Sequence, residues 1–300
     1  MTTINLVYIT DQNYAMPTIV SIASAIYHKK SAKNFRIYIL TNGLDEHTTR
    51  MFQELKRNDV EIIIKTLDIE NFLKNNIQQT RHVTKIALLK FFLPQIIEEK
   101  RVLYLDSDLI IQNCLEEVFN TDIGTKLIAA VFDCGLFLMP KWQEQLALNP
   151  NDYFNSGVML MDLESMRREN ITEKLVTYKI NNETFFMDQD ALNVVFNKHV
   201  YYLEWKWNFL SFLLEGKTNE TLLKQIKGLP ALNQCIKSAY IVHCTDKLKP
   251  WEYKTKLSKL WIKYYKKSPY KNQKLALKKV PKQTKRPILI FIKYALLQNI

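Results

Sequence analysis

Three apolar, β-branched runs separated by helical patterns constrain the fold of this chain more than any other feature: Ile4–Thr10, Phe35–Thr41 and Val60–Thr66. Runs this continuously apolar are buried on both faces, which a sheet achieves only with helices on either side, so they predict parallel strands. A helix is predicted over Ala15–His28, with Pro17 tolerated in its first turn. Asp45 is placed to cap a second helix that reaches about Asn58. A third helix over Ile86–Glu98 precedes the run Arg101–Asp108, and Leu127–Asp133, Gly157–Asp162 and Tyr240–Cys244 read as later strands. The predicted class is α/β, a Rossmann-like mixed sheet flanked by helices. The aromatic stretch Trp205–Gly228 is irregular and takes no assignment.

A net charge of +12 invites a nucleic-acid reading until the charges are located. Residues 252–300 carry 14 Lys and Arg against one acid, whereas residues 1–251 carry 28 against 29. A near-neutral body with a cationic end does not form a basic groove, so no nucleic-acid partner is expected. Cys114, Cys134, Cys235 and Cys244 form no CxxC pair, which argues against a zinc site or a disulfide framework and fits a reducing cytoplasm. Met1–Asn5 lacks the basic start of a secretory signal, so the expected location is cytoplasmic.

The apolar run Arg101–Asp108 ends abruptly in Asp106-Ser107-Asp108. In an extended chain the two carboxylates project to one side and Ser107 to the other. Ligands of open α/β sheets gather at the carboxyl ends of strands. Two hard carboxylates there could hold Mg²⁺ or Mn²⁺ against a nucleoside diphosphate. His243 closes another buried run, and an imidazole beside two acids shifts the preference towards Mn²⁺. Lys249 lies six residues on, as a point charge for phosphate. On the residues alone, the acids are equally an acidic turn, and His243 a hydrogen-bonded core histidine.

Further polar clusters are Asp188-Gln189-Asp190, Asn155-Ser156-Gly157 and Asp11-Gln12-Asn13-Tyr14. Asp188 could cap the following helix, and Asn155-Ser156-Gly157 could be a turn just before a strand. Alternatively, Asp188 and Gln189 offer acceptors and a neutral amide to a sugar. Tyr14 could stack on a base beside a reading carboxylate and amide. With six glycines in 300 residues and no GxGxxG or P-loop pattern, a diphosphate would have to be held by metal instead of by a glycine loop.

Taken in order, LYLDSDLII, FNSGVMLMDL, DQDALN and HCTDKLKPW resemble the signature blocks of glycosyltransferase family 8, in particular its bacterial lipopolysaccharide galactosyl- and glucosyltransferases. The resemblance runs from about Ile4 to Trp251. It implies a GT-A fold, UDP-galactose or UDP-glucose as donor, a saccharide acceptor that could be lipid-linked, Mn²⁺ (or Mg²⁺) and retention of anomeric configuration. By position it implies Asp106, Asp108 and His243 as metal ligands. Asp11, Asn13 and Tyr14 match uridine contacts, with Val83 beside the nucleoside. Ser107 and Lys249 match further donor contacts, Lys249 on the diphosphate. Asn155, Asp188 and Gln189 match catalytic positions around the donor sugar, and His82 and Asp133 fall where relatives contact the acceptor. Two positions depart from the pattern. Lys90 replaces an arginine, a point charge for a bidentate fork, and bears on donor selection. Asp246 replaces a glycine near the diphosphate and would have to turn outward or pair with Lys247.

Residues 252–300 make the second expected unit, a basic amphipathic helical tail beside a catalytic domain of residues 1–251. Leu257, Leu260, Trp261, Tyr264 and Tyr265 interleave with lysines, and Pro287–Leu297 is too short to span a bilayer. The segment could instead be solvated or packed on protein; the expected partner is an anionic membrane surface, reached from the inner face. Competing readings are a metal-dependent nucleotidyltransferase, which would need a basic triphosphate loop not found here, and a sugar-nucleotide binder without turnover.

Overall fold

The computed structural model describes residues 3–30, 33–68, 85–214, 223–224 and 226–281. The three opening runs are strands β1 (Thr3–Ile9), β2 (Asn34–Thr41) and β3 (Val60–Thr66), all mutually parallel where they pair. Next in the chain come β4 (Arg101–Leu105), β5 (Leu109–Ile111), β6 (Ile128–Phe132), β7 (Phe154–Asp162), β8 (Val200–Leu203), β9 (Phe209–Leu210) and β10 (Ile241–His243). Seven of these form a sheet in the order β3-β2-β1-β4-β7-β6-β8. Its first four members are parallel, and β7 runs antiparallel to both β4 and β6. A small sheet, β5-β10-β9, stands beside it. The mixed α/β architecture is the one the sequence predicts.

Strand period explains the apolar runs. Ile4, Leu6 and Tyr8 of β1 enter one core, with Ile19, Ile22 and Ile26 of the helix Ala15–Tyr27. Val7 and Ile9 point oppositely into a second core, with Leu89, Phe91 and Leu192. Both faces of the sheet are therefore covered, as a parallel sheet requires.

Four local expectations change. The helix capped by Asp45, whose Oδ1 accepts from Thr48 N at 2.7 Å, ends at Gln53 instead of near Asn58. The predicted helix Ile86–Glu98 is a 3₁₀ helix, Lys85–Phe92, followed by a single α turn, Leu93–Ile96. Pro94 has no N–H to donate to the carbonyl of residue 90, so the helix cannot run through as one α segment. Asn155-Ser156-Gly157 lies inside β7, not in a turn before it. Opposite β6 the register jumps from Ala130↔Met159 to Val131↔Asn155, which bows Ser156, Gly157 and Val158 out of the ladder on that side.

The fourth change concerns the tail. The helix Ser258–Tyr265 packs against Ala15–Tyr27, and Trp261 is 1% exposed. Trp261 stands between Trp251, at a centroid distance of 5.9 Å, and Tyr265, at 5.3 Å, and Trp251 meets Tyr14 edge-on at 6.1 Å. Lys254 and Lys278 are joined by reciprocal backbone contacts to the Glu252 region, Lys254 N–H donating to Lys278 O at 3.0 Å. The apolar face of this helix is occupied by protein, with Leu257, Trp261, Tyr264 and Tyr265 in the main core. The lysines of the segment remain outward. Pro287–Leu297 lies outside the described residues, and among the described ones no helix is long and apolar enough to cross a membrane. Trp261→Ala is expected to remove about 3–5 kcal/mol of stability in denaturant unfolding; a loss below about 1 kcal/mol would mean that this helix is not part of the core.

Candidate active site

Asp106-Ser107-Asp108 is the link by which the chain leaves the large sheet at β4 and enters the small one at β5. Asp106 N–H donates to Gly157 O at 2.8 Å, and Cys244 N–H donates to Asp108 O at 2.9 Å. Because β10 pairs antiparallel with β5, His243 sits opposite Leu109, one residue beyond Asp108. Backbone pairing thus brings the imidazole to the acids. One ligand atom from each of Asp106, Asp108 and His243 lies within 4.8 Å of the others. His243 Nε2 is 3.0 Å from Asp108 Oδ1 and 3.7 Å from Asp106 Oδ2.

These donors suit a divalent cation: two carboxylates and one imidazole whose other nitrogen, Nδ1, is engaged by Asn208 Oδ1 at 3.1 Å. Gly157 makes the room. A Cβ there would fall on the His243 ring and come within 2.8 Å of Asp106 Oδ2. Ser107 turns the other way, as strand alternation predicts, and donates its hydroxyl to Ile9 O at 2.9 Å, tying the link to the end of β1.

Two lysines flank the acids, Lys90 buried and Lys249 partly buried. Lys249 Nζ is 2.8 Å from Asp108 Oδ2 and also donates to Cys244 O. Lys90 Nζ lies 2.6 Å from Asp188 Oδ2, 3.3 Å from Asp106 Oδ1 and 3.2 Å from Ser156 Oγ, over the Tyr104 ring. Burial works against the charge on Lys90, but Asp106 and Asp188 outweigh it and hold the ammonium firmly protonated. Burial likewise opposes ionisation of Asp108, and Lys249 with His243 more than offset it, keeping that carboxyl well below the usual range. Tyr104 OH donates to Asp106 Oδ1 at 2.6 Å.

The helix Met187–Val195 presents Asp188 and Gln189 to this cleft. Gln189 Oε1 accepts from Ser156 N at 3.0 Å, and its Nε2 donates to Asp133 Oδ2 at 3.2 Å. Asp188 does not cap the helix; its carboxylate is spent on Lys90 and on Ser156 Oγ. Asp190, fully buried, receives Tyr153 OH, Trp142 Nε1 and Phe186 N–H. Its burial raises the carboxyl to about 6 even against those three hydrogen bonds.

At the end of β1, Asp11 Oδ1 accepts from Tyr14 N at 2.9 Å, while Asn13 and Tyr14 are exposed. The Tyr14 phenol is raised, by burial first, and it feels both Lys249 and Asp108. Tyr14 meets Trp251 edge-on, and Lys249 Nζ lies 5.7 Å from the centroid of the Trp251 ring, so the turn borders the Lys249 side of the cleft. Asp246 uses its N–H on Ser211 Oγ at 3.3 Å, and no ion pair joins its side chain to Lys247 among the described residues. His82 and Val83 lie outside the described residues. Sequence reasoning missed Asn208, Ser156 and Tyr104. Asn208 falls in the stretch that took no assignment, now the 3₁₀ turn Trp205–Trp207 leading into β9.

The sequence model of the family described as "Glycosyl transferase family 8" matches residues 5–255. General stress protein A of Bacillus subtilis is 29% identical over 261 residues, 84% of this chain and 88% of that protein. Lipopolysaccharide 1,3-galactosyltransferase of Salmonella typhimurium is 24% identical over 82% of this chain and 72% of its own length. GlyA of Streptococcus pneumoniae, described as a glycosyltransferase, is 26% identical, and the match spans only 32% of it. Among solved structures, the galactosyltransferase LgtC, crystallised with donor and acceptor sugar analogues, superposes with a TM-score of 0.72 at 20% identity, over 89% of this chain and 96% of that one. The fold is GT-A.

Gly157→Ala is expected to weaken divalent-ion binding about tenfold or more by displacing His243, with little change in far-ultraviolet dichroism. Unaltered affinity in an Mn²⁺ titration would contradict the crowding seen at this position.

Proposed function

The chain belongs to glycosyltransferase family 8, and from that premise we propose that it moves galactose or glucose from a UDP-sugar to a saccharide acceptor, with retention at the anomeric carbon and with Mn²⁺ (or Mg²⁺) as its metal. The observation that carries the reading is the meeting of Asp106, Asp108 and His243 where the two sheets join. When bound there, the cation supplies Lewis-acid neutralisation of the diphosphate leaving group. Lys249, beside Asp108, adds a fixed positive charge for the phosphates. Tyr14, Asp11 and Asn13 line the uridine end, with Val83 on the same side by resemblance.

Around the hexose, Asn155, Asp188 and Gln189 orient hydroxyls. Lys90 holds Asp188, so that carboxylate is a positioning group with a permanent counter-charge. Asp190 is buried with both oxygens in use, and Gln189 is neutral. These features support front-face transfer over a carboxylate nucleophile, since Asp133, Asp188 and Asp190 are each held by hydrogen bonds or an ion pair. The acceptor hydroxyl would then enter on the side UDP leaves, its proton passing to a diphosphate oxygen. His82 and Asp133 are the acceptor-side positions.

Relatives named for lipopolysaccharide galactosyl and glucosyl transfer favour a cell-surface glycan as acceptor. Lysines at 254, 256, 259, 263, 266 and 267 stay exposed on the folded-in segment, and residues 282–300 add further basic and apolar side chains. A peripheral position on the inner face of the cytoplasmic membrane, close to a lipid-linked acceptor, follows from that composition.

A panel of UDP-sugars with Mn²⁺ tests the activity through slow donor hydrolysis. UDP-galactose or UDP-glucose is expected to turn over, and Asp108→Asn to cost about 10²–10³-fold in rate with folding intact. Binding without any hydrolysis would instead favour the sugar-nucleotide binder that Asp246, in place of glycine, makes the second reading. For the membrane, flotation with anionic liposomes should compare the full chain with one ending at Pro281. Equal flotation would remove residues 282–300 from the account.

A further inference from the structure

We infer that Asp133 fixes the tautomer of His243 at a distance, through a one-way chain of side-chain amides formed by Asn155 and Asn208, and orients Gln189 from the same oxygen. The inference rests on the divalent-ion site proposed above. An amide side chain can be turned over, exchanging donor for acceptor, unless neighbours of fixed polarity decide it. Here they do.

Asp133 is a carboxylate and only accepts. Its Oδ1 takes Gly135 N–H at 2.8 Å, and its Oδ2 takes Asn155 Nδ2 at 2.9 Å and Gln189 Nε2 at 3.2 Å. Asn155 must therefore face Asp133 with its NH₂ group. Its oxygen is fixed independently, because Gly157 N–H, which only donates, points at Asn155 Oδ1 from 3.0 Å. That same oxygen meets Asn208 at 2.8 Å, so Asn208 must supply NH₂ there. What remains of Asn208 is its oxygen, 3.1 Å from His243 Nδ1. An amide oxygen cannot donate, so Nδ1 carries the hydrogen and Nε2 keeps its lone pair facing Asp106 and Asp108.

The chain is shielded from water. Asp133 is 7% exposed, Asn155 8%, Asn208 1% and His243 5%. Turning any amide over would set oxygen against oxygen in a buried site, leaving groups unpaired that no solvent can satisfy. Gly135 permits the anchoring contact, because a Cβ there would sit 2.9 Å from Asp133 Oδ1. Gln189 is fixed by the same logic: Asp133 demands its NH₂, and Ser156 N–H demands its oxygen. The metal ligand and the amide at the sugar therefore take their polarity from one shared carboxylate, acting with the backbone N–H groups of Gly157 and Ser156. Asn208 and Asp133 are positioning residues.

The test is Mn²⁺ binding by the full chain, read by electron paramagnetic resonance without donor or acceptor. Asn208→Ala is expected to weaken binding about 10–100-fold. Asn208→Asp, which keeps an acceptor for Nδ1–H but cannot donate to Asn155, should hold Mn²⁺ within about threefold of the parent while raising KM for the donor. Asp133→Asn, isosteric and without contact to any of the three ligands, should weaken Mn²⁺ about 3–10-fold because neither orientation of the new amide satisfies all three donors. Parent-like affinity in Asn208→Ala or in Asp133→Asn, alongside lost affinity in Asp108→Asn, overturns the relay and leaves the metal site standing. Parent-like affinity in Asp108→Asn overturns both. If Asn208→Ala does not fold, the two isosteric variants decide.

Discussion

The antiparallel pairing of β10 with β5 is the interaction on which the rest of the site depends. Leu109 and His243 face each other in that ladder, and Cys244 N–H closes on Asp108 O at 2.9 Å. Two stretches of chain more than a hundred residues apart are thereby held in register by backbone hydrogen bonds, which do not depend on side-chain identity. The small sheet also buries Leu109, Ile110, Ile111, Phe209, Leu210, Ile241 and Val242 in the main core. Its strands are short, and it serves to carry an imidazole to the acids at the end of β4. A slip of one residue would turn His243 to the opposite face.

Charge is arranged around this junction so that neither acid is left without a cation. Lys249 attends Asp108, and Lys90 stands between Asp106 and Asp188. Buried charges are tolerable only when paired and hydrogen-bonded, and these are both. The ammonium of Lys90 is smaller than a guanidinium and makes no fork. It is seated over Tyr104, whose hydroxyl also serves Asp106, so one aromatic residue supports both members of the pair.

What the sequence revealed, and what it hid, follows from the range of each interaction. The strands at Ile4, Phe35 and Val60 were readable because burial on both faces leaves a continuous apolar run. The acids at 106 and 108 were readable because they end such a run. Asn-Ser-Gly is turn chemistry, so on its residues alone this tripeptide can be read as a turn; the register jump between β6 and β7 explains how a strand contains it. Asn208 carried no signal at all, since an amide in an irregular aromatic stretch acquires meaning only from His243 and Asn155, both distant in the chain. The helix around Trp261 shows a different limit. Its pattern encodes an apolar face, but the same pattern serves a lipid surface or another helix, and here the partner is Ala15–Tyr27.

The aromatic row Tyr14, Trp251, Trp261, Tyr265 links the turn after β1 to the segment beyond residue 251. The match to the family's sequence model stops at residue 255, inside that row. An expression boundary chosen from that match alone would strip the indole of Trp261 from that of Trp251 and leave a wet apolar seam next to Tyr14. Such a fragment would tend to self-associate through the bared rings. The smallest well-behaved version of the protein is therefore longer than the stretch that the family's sequence model matches.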